Sequence, residues 1–150
     1  MASSASSASS RRILLGFLAG FVAVLVCHQG MLAILVGLGV SPRTVFPYGA
    51  TEPFGVPQIW SSAFWGGIWG MLFAGVEQSF PRGPMYWITW LLGGAFLVAG
   101  VAFFVVAPLQ GNPVAAGGDP AAIVTGMMVN AAWGLGTAIL LLSLDAWRRH

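Results

Sequence analysis

Three consecutive side chains that could bind a ligand, Cys27-His28-Gln29, lie inside the first long uncharged stretch of the chain. A histidine at membrane depth costs free energy unless it faces protein, water or a ligand, so His28 is the first candidate for function. At about 1.5 Å of rise per residue, His28, Trp69 and Asn130 fall at similar depths, beneath the loop that contains Glu52. These four residues predict a small polar binding pocket that opens on the loop side.

The same residues also have a purely structural interpretation. His28 and Asn130 would then hydrogen-bond across helices and hold a bundle together, with each such bond contributing about 0.6 kcal/mol. We favour this interpretation and keep the pocket as the alternative.

A soft-metal site is a further alternative. Cys27 and Met31 are one helical turn apart, His28 is adjacent, and Met127 falls at a comparable depth. Thiolate, thioether and imidazole ligands suit Cu(I). A b-type haem would need His28 with Met127, or with His28 of a second copy, as axial ligands. Since such residues usually fill space in apolar helices, the primary prediction is no cofactor.

The composition excludes most soluble classes of protein. The 150 residues are 57% hydrophobic and 7% charged, whereas a soluble domain carries about 25% charged residues. The single cysteine excludes an intramolecular disulfide and a CxxC-type metal site. The sequence has no catalytic triad order, paired carboxylates or phosphate loop, and no basic patch with interleaved aromatics. We therefore expect neither an enzyme nor a nucleic-acid partner, and a lipid bilayer as the surrounding solvent.

The predicted fold is all-α, an integral membrane bundle of four antiparallel transmembrane helices at approximately 14–40, 57–76, 84–107 and 120–145. Apolar runs of roughly 20 residues cross a ~30 Å hydrocarbon core. Pro57 and Pro120 suit the first helical position, where no N–H donor is needed. Residues 1–12 are rich in Ala and Ser and are predicted to be a disordered cytoplasmic tail. Residues 13–150 form one four-span transmembrane domain.

Small residues recur at helical spacing in three of the predicted helices. In membranes, such residues allow helix backbones to approach closely, so they predict helix contacts. The residues expected at these contacts are Gly16, Gly20, Ala63, Gly67, Gly70, Ala74, Gly126 and Gly134. The same small residues predict that the protein associates with itself or with a larger membrane complex.

The arginines predict the orientation. Five of the six fall on one side of the predicted topology: Arg11, Arg12, Arg82, Arg148 and Arg149. Only Arg43 falls on the other side, so the positive-inside rule places both termini in the cytoplasm. Glu77, in the turn on the same side, is expected to be exposed and to pair with Arg82 or with lipid headgroups. Asp145 is spaced to neighbour Arg148 and Arg149 on a helix surface.

Four short segments are spread over most of the predicted membrane part of the chain: His28-Gln29-Gly30, Pro53-Phe54-Gly55-Val56-Pro57, Phe64-Trp65-Gly66-Gly67-Ile68-Trp69-Gly70 and Asn130-Ala131-Ala132-Trp133-Gly134. With these segments the chain resembles a family of uncharacterised four-helix proteins of the bacterial inner membrane. The resemblance implies four spans and an inner (cytoplasmic) membrane location. No known activity comes with it, so it assigns no functional residue. Small multidrug transporters also have four short helices, but their first helix carries a glutamate and this one does not.

The expected function is a structural or accessory membrane protein. The alternative is a small permease or small-molecule binder with an intramembrane polar pocket around His28 and Asn130. The two interpretations differ in what His28 does, since only the second requires it for binding.

Overall fold

A computed structural model describes the backbone of residues 2–147 and the side chains of residues 9–147. The protein is 79% helical, and four helices in the described part are long and apolar enough to cross a membrane. This confirms the predicted helical class and the four candidate spans. Arg148 and Arg149, which were expected beside Asp145, lie outside the described residues.

Helix α1 has three parts, an α-helix over Ala2–Ala23, a π-helical turn over Val24–His28 and an α-helix over Gln29–Gly37. It begins earlier than the predicted residue 14. Ala2 lies in the segment predicted to be a disordered cytoplasmic tail, and that assignment stays a prediction.

Helix α1 ends three residues before its predicted end because of a glycine cap. Gly39 adopts a left-handed conformation with φ of 73°. The N–H groups of Gly39 and Val40 donate to the carbonyl oxygens of Val36 and Leu35 at 3.0 and 2.9 Å. These two hydrogen bonds form a Schellman motif, which satisfies carbonyl groups that the helix leaves free and turns the chain away.

A small hairpin that the sequence did not predict separates α1 from α2. Strands β1, Ala50–Thr51, and β2, Val56–Pro57, pair antiparallel, with Thr51 opposite Val56. Helix α2 follows directly over Gln58–Val76 and ends in a 3₁₀ turn, Glu77–Ser79.

Helix α3 spans Pro84–Leu109 and contains two π-helical stretches, Gly93–Val98 and Ala102–Val106. It continues past Pro108, where the sequence predicted its end. A proline ring normally collides with the carbonyl group one turn earlier, and the wider π-helical stretch just before it relieves this collision. Helix α4 spans Pro120–Trp147.

The four helices alternate in direction. The beginnings of α1 and α3 meet the ends of α2 and α4 in one cluster of side chains, formed by Arg12, Glu77, Tyr86 and Asp145. We call this the charged end and the opposite one the hairpin end. Helix α1 packs against α2 and α4, and α4 also packs against α3.

Aromatic rings fill the space between α2 and α3 in the core. The rings of Phe73 and Trp90 stack with centroids 5.0 Å apart, and Phe73 meets Trp133 edge to face at 5.8 Å. Trp90 and Trp133 are the largest fully buried side chains of the described residues. The centre of the bundle is therefore solid and apolar.

The outer surface of the bundle is also apolar. Leu18, Phe96 and Ile139, on three different helices, are each more than half exposed. Soluble monomers rarely expose contiguous apolar patches larger than a few hundred Å². The exterior is compatible with a multi-pass membrane protein.

Candidate functional site

His28 lies at the end of the π-helical turn of α1, next to a buried glutamine. The Nδ1 atom of His28 is 3.4 Å from the side-chain nitrogen of Gln29. The side-chain oxygen of Gln29 accepts a hydrogen bond from the backbone N–H of Phe46 at 2.8 Å. Gln29 therefore attaches α1 to the loop that follows it, and its buried amide is hydrogen-bonded as buried polar groups must be.

The other three residues of the predicted pocket have their own surroundings. Asn130 donates its side-chain N–H to the carbonyl oxygen of Gly126 in the same helix at 2.8 Å. The ring of Trp69 packs edge to face on Phe73, with centroids 6.4 Å apart. Glu52 is exposed in the hairpin. Among the hydrogen bonds and ring contacts of the described residues none joins His28 to these three, and the pocket stays a prediction.

An apolar groove of about 370 Å³ lies between α1, α3 and α4. Cys27 and Met31, two of the predicted metal ligands, line this groove together with Met128. His28 and Met127, the other two predicted ligands, are not part of its lining. Within residues 9–147, no group of three or more His, Cys, Asp or Glu side chains could hold a metal ion.

Helices α1 and α2 cross with their backbones in contact. A Cβ atom added to Gly20 would lie 2.2 Å from the carbonyl oxygen of Gly66, and one added to Gly70 would lie 2.1 Å from that of Gly16. Real Cβ atoms essentially never come within 3.0 Å of such atoms. This crossing therefore requires glycine on both helices. Gly16, Gly20 and Gly70 were expected at helix contacts, and Gly66 was not.

Helices α3 and α4 cross in the same way. A Cβ on Gly94 would lie 2.1 Å from the carbonyl oxygen of Asn130, and one on Gly134 would lie 2.3 Å from that of Trp90. Gly134 was expected at a helix contact and Gly94 was not. The backbone carbonyl group of Asn130 thus faces the neighbouring helix.

The remaining predicted contact residues also face other parts of the protein. Gly67 lies against the ring of Phe17, and Gly126 lies against the ring of Phe103. Ala63 and Ala74 are both buried.

Trp133 connects the two crossings. Its indole N–H donates to the carbonyl oxygen of Gly20 at 3.0 Å, in a fully buried position. A Cβ on Gly66 would lie 3.2 Å from the same indole nitrogen. In the sequence, Trp133 is marked only by its place beside a glycine in the middle of a helix. That place does not reveal Gly20 as its hydrogen-bond partner.

The charged end holds a cluster that sequence reasoning missed. Arg12 lies 2.5 Å from Glu77 through one terminal nitrogen and 3.4 Å from Asp145 through the other. The second oxygen of Glu77 accepts a hydrogen bond from the hydroxyl of Tyr86. Each of the four residues comes from a different helix, so the cluster ties all four helices together.

The expectation that Glu77 is exposed and paired with Arg82 is wrong. Only 3% of the Glu77 side chain is exposed, against 29% for Arg12. A buried carboxylate is stable only when paired and hydrogen-bonded, and the charge of Arg12 on the neighbouring helix provides this. Sequence distance concealed the pair, because 65 residues separate its members.

Comparison with protein-family models, with curated proteins and with solved structures gives no significant match. The resemblance to four-helix inner-membrane proteins therefore stays a prediction. The argument for function rests on the geometry of this chain.

Proposed function

We propose that the chain is a structural or accessory protein of the bacterial inner membrane that associates with itself or with a larger membrane complex. One observation carries the proposal: the interior is occupied by direct backbone contacts at two glycine crossings, joined by the hydrogen bond from Trp133 to Gly20. Side chains on interior glycines would separate the helices. Such packing suits a rigid bundle whose outer surface meets lipid and partners.

The distribution of charge supports an orientation for the charged end. Arg11 and Arg82 are exposed there, whereas Arg43 lies in the loop at the hairpin end. Because cytoplasmic loops carry an excess of arginine and lysine, the charged end faces the cytoplasm and both termini are cytoplasmic.

This role involves no catalysis, and its partners are the bilayer and other membrane proteins. Native mass spectrometry of the protein released from its own membrane tests it directly. We expect a homo-oligomer or a defined complex, and we expect His28→Ala to leave that assembly unchanged. A strictly monomeric protein in native membranes would refute the proposal.

A permease or small-molecule binder remains the second candidate because of one observation. His28 lies in a π-helical turn, a local widening that often accompanies functional sites. On this alternative, His28→Ala or Asn130→Ala abolishes binding or transport of a small molecule while the protein stays folded and inserted. The assembly measurement and a binding measurement on the same variants therefore separate the two candidates.

A further inference from the structure

Helix α2 is shorter than α1 and α4 at the hairpin end. Arg12, Glu77 and Asp145 meet at the charged end, so they give these three helices a common level. At about 1.5 Å of rise per residue, α2 extends ~29 Å from this level to its first residue, whereas α1 and α4 extend ~38 Å to their ends. The last turns of α1 and α4 at the hairpin end therefore have no counterpart in α2.

The segment 38–57 occupies the corner that α2 leaves free. Its Phe46 donates a backbone N–H to the side chain of Gln29, and the carbonyl oxygen of Pro47 accepts the N–H of Ile59 at 2.9 Å. The segment thus returns to the depth of Gln29, ~12 Å below the end of α1, before α2 begins. Most of its residues are exposed.

The other three helices stay apolar up to their ends at this side. Their last turns, 30–37 in α1, 99–109 in α3 and 120–129 in α4, contain no charged residue. The one polar side chain among them, Thr125, is fully buried. The exposed large side chains of these turns include Ile34, Leu109 and Val124. In a bilayer, the hydrocarbon would therefore reach the ends of α1, α3 and α4.

The segment 38–57 is unsuited to the same hydrocarbon. Non-helical backbone at membrane depth is tolerated only where it is buried in protein or lines a water-filled cavity, and this segment also carries the exposed Arg43 and Glu52. Tyr48 and Trp60, beside the start of α2, are 67% and 46% exposed. Because such aromatic side chains mark the membrane–water interface, the interface beside α2 lies closer to the charged end than it does beside the other helices.

We propose that the bilayer is thinned beside the start of α2, so that water and small anions from the hairpin side reach His28 and Arg43. The contacts Gly16–Gly70 and Gly20–Gly66, continued along these antiparallel helices, put the first residue of α2 level with His28. Local thinning and water penetration reduce the cost of a polar side chain at membrane depth. We call this space the recess. It rests on the membrane location in the proposed function and not on self-association.

The charges around the recess favour anions. None of the ion pairs within residues 9–147 involves Arg43, and its charge acts on the imidazole of His28. The two carboxylates of the described loops at this end, Glu52 and Asp119, lie in exposed turns. An unpaired cation beside a low-dielectric wall raises the local concentration of anions. The ligand class of the recess is therefore a small water-soluble anion.

The single cysteine of the chain makes the recess testable by chemical labelling. In a Cys27→Ala background, one new cysteine is placed at a time. Thr44 lies in the exposed part of the segment 38–57, and Ile34 is its matched control at a similar depth on α1. Ile34 comes five residues after Gln29, so it points about 140° away from the side to which the segment is attached.

The reagents are an anionic and a cationic methanethiosulfonate, both membrane-impermeant, applied to spheroplasts and to inside-out vesicles. Ala50→Cys in the hairpin identifies the preparation in which the hairpin end faces the reagent. There, Thr44→Cys and His28→Cys should react at least about tenfold faster than Ile34→Cys, because hydrocarbon excludes charged reagents. Relative to free cysteine, the anionic reagent should be at least about threefold faster than the cationic one at His28→Cys, and Arg43→Gln should remove this preference.

Each result decides a separate part of the proposal. Absence of reaction at Thr44→Cys and His28→Cys, where Ala50→Cys reacts, would overturn the recess. Equal rates at Ile34→Cys and Thr44→Cys would also overturn it, because the helix ends would then stand in water. Equal relative rates of the two reagents would overturn the preference for anions. Reaction of Ala50→Cys only in inside-out vesicles would overturn the orientation in the proposed function, while the comparison of Thr44→Cys with Ile34→Cys still decides the recess.

Discussion

Adding one methyl group at Gly70 should destabilise the bundle, although alanine is the better helix former. The added Cβ would lie 2.1 Å from the backbone oxygen of Gly16. To reach even 3.0 Å, the smallest separation that real Cβ atoms show, the two backbones must move apart by about 0.9 Å. Neither backbone can rotate away as a flexible side chain would. The helices must therefore separate along the whole crossing.

The expected cost follows from two opposing terms. Overpacking a close contact costs about 1 to 3 kcal/mol, and sometimes more. The change from glycine to alanine stabilises the helix itself by up to about 1 kcal/mol. We therefore expect Gly70→Ala to lose up to about 2 kcal/mol of unfolding free energy, and to be about 1 to 3 kcal/mol less stable than a glycine-to-alanine variant that keeps only the favourable helix term.

Gly75 in the same helix is the matched control. A Cβ there would meet nothing within 4 Å, so Gly75→Ala should keep only the favourable helix term. Reversible unfolding of both variants in mixed micelles, followed by tryptophan fluorescence, measures the difference. If Gly70→Ala proves as stable as Gly75→Ala, the backbone contact between α1 and α2 is refuted.

Three further substitutions test other contacts by the same unfolding measurement. Glu77→Gln should lower the unfolding free energy by about 1 to 3 kcal/mol, because it leaves the half-buried guanidinium of Arg12 without its main partner. Glu52→Gln in the exposed hairpin should change the unfolding free energy little. Equal effects of the two substitutions would contradict the cluster. Trp133→Phe should cost about 1 to 3 kcal/mol through the lost hydrogen bond to α1 and the lost volume, and a neutral result would contradict that bond. Ala116 has a φ of 53°, in the left-handed region that favours glycine. Ala116→Gly should therefore raise the unfolding free energy by about 0.5 to 1 kcal/mol, whereas Ala122→Gly inside α4 should lower it by about 1 kcal/mol. A loss at Ala116 would contradict its left-handed conformation.

The cluster at the charged end changes how the arginines are interpreted. Arg12 was expected only to orient the chain, but it also neutralises Glu77 and contacts Asp145. Arg11, its exposed neighbour, has no such described ion pair and suits the orienting role alone. Replacing the two arginines one at a time should therefore separate topology from stability.

The sequence by itself determined the helical class, the number of candidate spans and most of their ends. Uncharged runs of sufficient length and prolines at helix starts are local features, and they act before any two helices meet. The tertiary structure alone decided which residues face each other. The π-helical turn at Val24–His28 changes the direction in which later side chains of α1 point, and regular periodicity does not contain it. The partners Glu77 and Arg12, and Gly94 and Asn130, are far apart in sequence. Their meeting depends on helix rotation and crossing, which no local pattern of residues specifies.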